Sequence, residues 1–183
     1  MRIALYDANV LYPSTLRDVL IRVGIAQLVV PRWTDRILDE TFRNLKEDRP
    51  DLDPARLDRT RTLMNGAIND VLVTGYELRI DDIVLPDPDD RHVAAAAIHA
   101  GAQVIVTNDL KDFPAAALEP HAISAWHPDV FLQDLCRENL EALVRIVKEI
   151  AAAWRRDADT AAVLKSLGVE APDTADKISQ ALL

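Results

Sequence analysis

A chain of 183 residues, 49% of them hydrophobic, is long enough for one domain with its own core and a small appendage. The formal net charge of −9 argues against a general electrostatic binder of nucleic acid. It leaves room for an RNA-directed enzyme with a carboxylate-rich metal site, because bound cations reverse the local field. A single cysteine, Cys136, excludes an internal disulfide and a cysteine-rich zinc site. No apolar run approaches the roughly 18 residues of a membrane span, so no membrane role is expected. The opening residues Met1 to Asp7 lack the apolar stretch and cleavage site of a signal peptide, and a cytoplasmic location is the expectation.

In chain order, Arg2 to Tyr6 reads as a short buried strand ending at Asp7. Pro13 to Val23 reads as a helix with Pro13 at its start and Gly24 as its stop. Leu28-Val29-Val30 is a short apolar run before Pro31. A helix follows from Thr34, a suitable N-cap, to Lys46. Pro54 to about Leu72 predicts another, with Leu57, Leu63, Met64, Ile68 and Leu72 on its apolar side, and Asp81 to Leu85 is a possible strand or extended segment. Asp87, as N-cap, and Pro88 open a helix that reaches Ala100 and stops at Gly101. Gln103 to Thr107 is a buried strand, Phe113 to Leu118 a helical turn, and Ala122 to Trp126 a last strand. Pro128 to Leu135 predicts a short helix, and Glu138 to Arg155 a long amphipathic one. Two more helices are expected over Thr160–Leu167 and Thr174–Leu183. Their apolar residues, Val163, Leu164, Leu167, Ile178, Leu182 and Leu183, should pack on the core or on a second chain.

Strands alternating with helices imply an α/β fold: a parallel sheet of about four strands with helices on both faces. The expected division is an α/β domain over 1–135 and a helical extension over 136–183.

In open parallel sheets, ligands gather beyond the carboxyl ends of the strands. Asp7 follows the first strand, and Asp109 closely follows Val106-Thr107. Asp90 precedes the stripe Val93, Ala94, Ala97 and Gly101, so it points along the buried face, whereas Asp89 projects toward His92 and Ala96, a more exposed side. A carboxylate on a core face is costly unless paired or bound to metal, although helix capping alone favours acids there. In the helix from Thr34, Asp39 and Glu40 flank the stripe of Ile37, Leu38, Thr41, Phe42 and Leu45, and periodicity does not choose between them. His92, His99, His121 and His127 show no zinc spacing and read as structural or surface residues.

Four segments together resemble PIN-domain ribonucleases. Ile3-Ala4-Leu5-Tyr6-Asp7-Ala8-Asn9-Val10-Leu11-Tyr12 resembles the opening strand with its first acid. Trp33 to Glu40 resembles the second motif and selects Glu40; Asp87 to Ala96 resembles the third and selects Asp90. Val104 to Pro114 resembles the fourth, with Asp109 at its acidic position and Asp112 as a further candidate. The likeness runs to about Leu135; VapC-like toxins are the best-known members of the family, and His127-Pro128-Asp129 and the helical tail resemble one subgroup of them.

The resemblance implies a three-layer PIN-like fold and hydrolysis of RNA with Mg²⁺ or Mn²⁺. It implies Asp7, Glu40, Asp90 and Asp109 as the catalytic set, and Asp7, Asp90 and Asp109 as metal ligands. A hard cation of this kind prefers oxygen ligands and often keeps several waters. Thr107 and Asn108 have two readings, ordering water or phosphate at the site or making ordinary strand-end bonds, and Asp112 supports them. Arg32, Arg36 and Arg43, with Arg56, Arg59 and Arg61, are either phosphate contacts or solvated surface. The resemblance further implies a homodimer and a cognate antitoxin. Three other readings compete: a PIN-domain nuclease of RNA processing rather than a toxin, a receiver-like phosphate-handling protein, and a non-catalytic interaction module. Against the receiver, no adjacent pair of acids follows the first strand and Lys111 shares a segment with Thr107; against the module, all four acids are present.

Overall fold

The structure, a computed structural model, describes residues 1–154 and 159–183. Four short strands, β1 (Ile3–Tyr6), β2 (Val30–Arg32), β3 (Val104–Val106) and β4 (Ser124–Trp126), form one parallel sheet in the order β2-β1-β3-β4. Leu5 pairs with Arg32 on one side and Ile105 on the other, and Ile105 pairs with Ala125. Ala4, Leu5, Tyr6, Ile105 and Val106 have no exposed surface, as expected of a parallel sheet covered on both faces. The edge position of β2 explains how it tolerates Pro31, whose missing N–H faces away from β1. The order reverses direction at β1, which leaves a crevice between the carboxyl ends of β1 and β3.

The helices are α1 (Ala8–Leu11), α2 (Ser14–Ile25), α3 (Asp35–Asp48), α4 (Pro54–Ala67), α5 (Arg91–His99), α6 (Ala115–Leu118), α7 (Pro128–Ala153), α8 (Thr160–Leu167) and α9 (Pro172–Ala181). Thr34 caps α3 as expected, its hydroxyl accepting from the Ile37 N–H at 3.0 Å. Asp87 likewise accepts from the Asp89 N–H at 2.8 Å at the 3₁₀ turn Pro88–Asp90 that leads into α5. Among the described residues no helix is long and apolar enough to cross a membrane.

Several expectations are corrected. Gly24 lies inside α2 and is needed for close packing: a Cβ there would meet Pro31 Cγ at 2.6 Å and Ile68 Cδ1 at 2.9 Å. The helix from Pro54 stops at Ala67, and after a left-handed Asp70 the chain returns beside Trp33. The Trp33 N–H donates to the Val71 carbonyl at 3.2 Å, and the Val73 N–H to the Trp33 carbonyl at 2.8 Å. Leu72 is thus drawn out of the helix by edge pairing, and Leu63 faces solvent, 61% exposed. Of the two readings of Asp81–Leu85, no strand forms: a 3₁₀ helix covers Glu77–Asp82, Ile83 beyond it is extended, and only Leu85 of the segment is buried. By contrast, the two helices expected from Pro128 to Arg155 are present as the two arms of α7, which meet at a kink where Asn139 leaves helical geometry; Arg155 lies outside the described residues.

The last two helices pack on the same chain. Val163, Leu167 and Ile178 have no exposed surface and belong to the one hydrophobic core. Leu182 is partly buried and Leu183 fully exposed. The apolar stripes that invited a second chain are therefore largely satisfied within this one.

Candidate active site

Asp7 ends β1 and caps α1, with only 6% of its surface exposed. Its Oδ1 accepts from the Ala8 N–H at 2.7 Å; its Oδ2 accepts from the Thr107 hydroxyl at 2.8 Å and from Asn9 Nδ2 at 2.9 Å. Burial pushes its carboxyl above the ordinary range, and the bonds from Thr107 and Ala8 offset part of that. The Thr107 hydroxyl also accepts from the Asp109 N–H at 3.1 Å, which fixes the turn after β3. The role of Thr107 visible here is therefore to orient Asp7 and Asp109.

Asn9 joins the two strand ends. Its Nδ2 lies within hydrogen-bond distance of Asp7 Oδ2, of Thr107 Oγ1 at 3.0 Å and of Asp109 Oδ2 at 3.1 Å. Its Oδ1 accepts from the Asn108 N–H at 3.0 Å. Sequence reasoning quoted Asn9 within a motif and gave it no role. Its importance depends on β1 and β3 being neighbours, for which only the shared strand-end placement of Asp7 and Thr107 gave a hint.

Asp90 enters from the turn before α5. Burial, followed by the negative charges of Asp7, Asp87 and Asp112, raises its carboxyl to about 6. Asp112 thus acts on the site through charge, from the 3₁₀ turn Leu110–Asp112. Asp89 is exposed, as expected, but the side of α5 assigned to it is not: His92 and Ala96 are buried. The helix is covered almost all round, so the Asp89 side chain owes its exposure to the preceding 3₁₀ turn.

Glu40 comes from α3 and is the acid that α5 receives. His92 Nε2 lies 3.0 Å from Glu40 Oε1, and Arg36 Nε lies 3.5 Å from the same oxygen. His92 is 1% exposed and its Nδ1 has no partner, so the donor nitrogen facing Glu40 is Nε2. Asp39, the flank that periodicity left open, instead pairs with Arg61, which also binds Asp35 at 3.0 Å. Arg61 is thereby occupied on the protein surface. Arg36 and Arg43 line the cleft itself.

Asp7, Glu40, Asp90 and Asp109 all line one cleft of about 770 Å³ at the carboxyl end of the sheet. Asn108 and Glu170 complete one wall, and Asn108 Nδ2 lies 3.5 Å from Glu170 Oε2. Glu170, in the loop before α9, carried no signal in the sequence. Among the described residues, Asp7, Asp90 and Asp109 have no Lys or Arg within ion-pair distance, unlike Glu40.

No group of three His, Cys, Asp or Glu among the described residues stands close enough to enclose a metal ion. Asp7, Asp90 and Asp109 are therefore not gathered as a preformed three-carboxylate cage, and Asn9 stands between Asp7 and Asp109. The donor set still fits a hexahydrate-like cation such as Mg²⁺, which commonly takes one or two carboxylates and retains water. Asp7 and Asp90 supply such a pair: the charge of Asp7 raises Asp90, and among the described residues neither has a Lys or Arg within ion-pair distance.

This fold and cleft define a PIN domain, and a family model described as PIN domain matches residues 4–111. The chain belongs to the PIN-domain family. Over 89 residues it is 42% identical to a protein of Mycobacterium tuberculosis named "Putative ribonuclease VapC50", a stretch that covers 48% of this chain and 53% of that protein. The match thus spans about half the length of this curated relative. No solved structure matches the chain.

Proposed function

We propose that this protein is a divalent-metal-dependent ribonuclease that hydrolyses RNA phosphodiester bonds, and that it serves as the toxin of a toxin–antitoxin pair. The observation that carries the catalytic reading is the meeting of four acids from four segments in one cleft, three of them without a basic partner. The similarity to a protein named as a ribonuclease supports the reaction type.

Asp7 and Asp90 are the residues that would hold Mg²⁺ or Mn²⁺, with Asp109 beside them through Asn9. When bound, such an ion neutralises charge at the phosphate and lowers the pKa of water. Glu40, held by His92 and Arg36, is the acceptor for the proton of the attacking water. Thr107 and Asn9 fix the Asp7 carboxylate, and Asp112 adds negative charge near Asp90. Arg36 and Arg43 face the phosphates of the strand.

By the same likeness, the protein acts in the cytoplasm, forms a homodimer and is held inactive by a cognate antitoxin that covers the cleft. The test is cleavage of single-stranded RNA with Mn²⁺ by the full chain. Asp7→Asn should abolish cleavage, and Glu40→Gln should lower kcat by about 100-fold. Wild-type protein that binds RNA and Mn²⁺ without cutting would overturn the enzymatic reading. Full activity with saturating protein from the adjacent gene would overturn the toxin–antitoxin assignment.

A further inference from the structure

Glu170 lies outside the stretch that matches the family model, yet it lines the same cleft as Asp7 and Asp90. Its loop is fixed on both sides by polar contacts. Before it, Ser166 of α8 shares a hydrogen bond with Thr15 of α2 at 2.7 Å. After it, the Asp129 carboxylate accepts from the Asp173 N–H at 3.1 Å, from the Thr174 N–H at 2.9 Å and from the Thr174 hydroxyl at 2.6 Å. Ala171, next to Glu170, is fully buried. A half-buried carboxylate is therefore held in place on the wall of a cleft already rich in carboxylates. Beside it, Asn108 Oδ1 is a buried acceptor with no partner.

The cations of the cleft stand on one wall only. The α3 side, which follows edge strand β2, carries Arg36 and Arg43 among the acids Asp39, Glu40 and Asp48; the β3 side carries Asn108, Asp109 and Glu170, with no Lys or Arg among the lining residues. A single strand crossing between the two walls keeps its phosphates toward the guanidinium groups and turns its bases to the β3 wall. A carboxylate repels phosphate but accepts N–H donors, and its two oxygens match two adjacent donors. Among the unpaired bases, guanine presents such a pair, N1–H and N2–H, on its Watson–Crick edge. Cytosine and adenine set one amino donor beside an acceptor, and uracil sets one donor between two acceptors.

We propose that Glu170 is a specificity-determining residue that accepts from the Watson–Crick edge of an unpaired guanine beside the cut. The C-terminal helices, on this proposal, exist in part to hold that carboxylate in the cleft. The inference rests on the ribonuclease reading given above.

The test uses the full chain and short oligouridylates with one central A, C or G. Cleavage is measured with Mn²⁺, and binding by fluorescence anisotropy with Ca²⁺ in its place. Wild-type protein should favour the G oligonucleotide by about tenfold in kcat/KM. Glu170→Gln, which presents one donor and one acceptor, should bring G down to the level of A and C, and Glu170→Ala should flatten the ranking. Glu170 is a half-buried loop residue, and unchanged melting midpoints would separate lost preference from lost structure. The absence of a G preference in wild type, or one ranking shared by all three proteins, would overturn the proposal. If no oligonucleotide is cut, the ribonuclease reading fails, while the anisotropy ranking still decides the role of Glu170.

Discussion

Asp90 and Glu40 occupy one cleft, but their surroundings set them to different tasks. Asp90 is surrounded by other acids, which with burial raise its carboxyl to about 6. In the metal-free protein its folded-state value therefore lies above the ordinary 3.8, so the folded state binds more protons than the unfolded chain between about 4 and 6. Stability should fall as pH rises through that window, and Asp90→Asn should reduce this slope, leaving the part that the raised Asp7 carboxyl contributes. Because the group is partly open to solvent, the gain expected from Asp90→Asn at pH 7 is discounted to about 1 kcal/mol. Urea titrations at pH 5 and pH 7.5, without and with Mg²⁺, check this, and a variant less stable than wild type in EDTA at pH 7.5 would contradict it. For Glu40 the partner is the point. His92→Leu should lower kcat by about tenfold or more by freeing the Glu40 carboxylate, whereas His92→Gln, which keeps an N–H donor, should retain most of the rate. Equal losses in both variants, with KM unchanged, would reduce His92 to a packing residue.

At the scale of elements, the strand ends were legible and the connections between them less so. Asp7 and Asp109 follow buried strands, and parallel sheets gather ligands at that edge, so local pattern was enough. Glu40 needed the family likeness, because α3 places Asp39 and Glu40 on opposite flanks and only their distant partners, Arg61 for Asp39 and buried His92 for Glu40, distinguish them. Asn9 and Glu170 depend on neighbours about one hundred and about sixty residues away in the chain, which no local periodicity contains. The overlong α4 has a tertiary cause. Residues 71–73 take up the edge beside Trp33, and this is a tertiary preference that overrides a helical pattern. Gly24 shows the same limit: a glycine near a helix end reads as a stop, yet here its missing Cβ admits Pro31. Gly24→Ala should therefore destabilise the protein by about 2 kcal/mol despite its better helix propensity, because the proline ring has little room to move. A rise in melting midpoint would show that β2 yields instead.

For the molecule as a whole, the question is whether α8 and α9 form a separate extension or part of the same cooperative unit. The expected boundary at residue 135 falls inside α7, and the core runs without interruption from Leu5 and Leu20 to Val163, Leu167 and Ile178. The polar anchor between these parts is Asp129, 6% exposed, which accepts two backbone N–H groups and the hydroxyl of the fully buried Thr174. Asp129→Ala would leave the two buried Thr174 donors unpartnered, at a cost of about 3 kcal/mol. If α8 and α9 share the core, that loss should appear as one urea transition shifted to lower denaturant with an unchanged slope. Amide exchange should quicken at Asp173 and Thr174 first, and the strand amides should follow only on global unfolding. A biphasic curve, with the β1 and β3 amides as protected as in wild type while α9 unfolds, would establish two units. Glu170 would then be held by a part of the chain that can detach from the site.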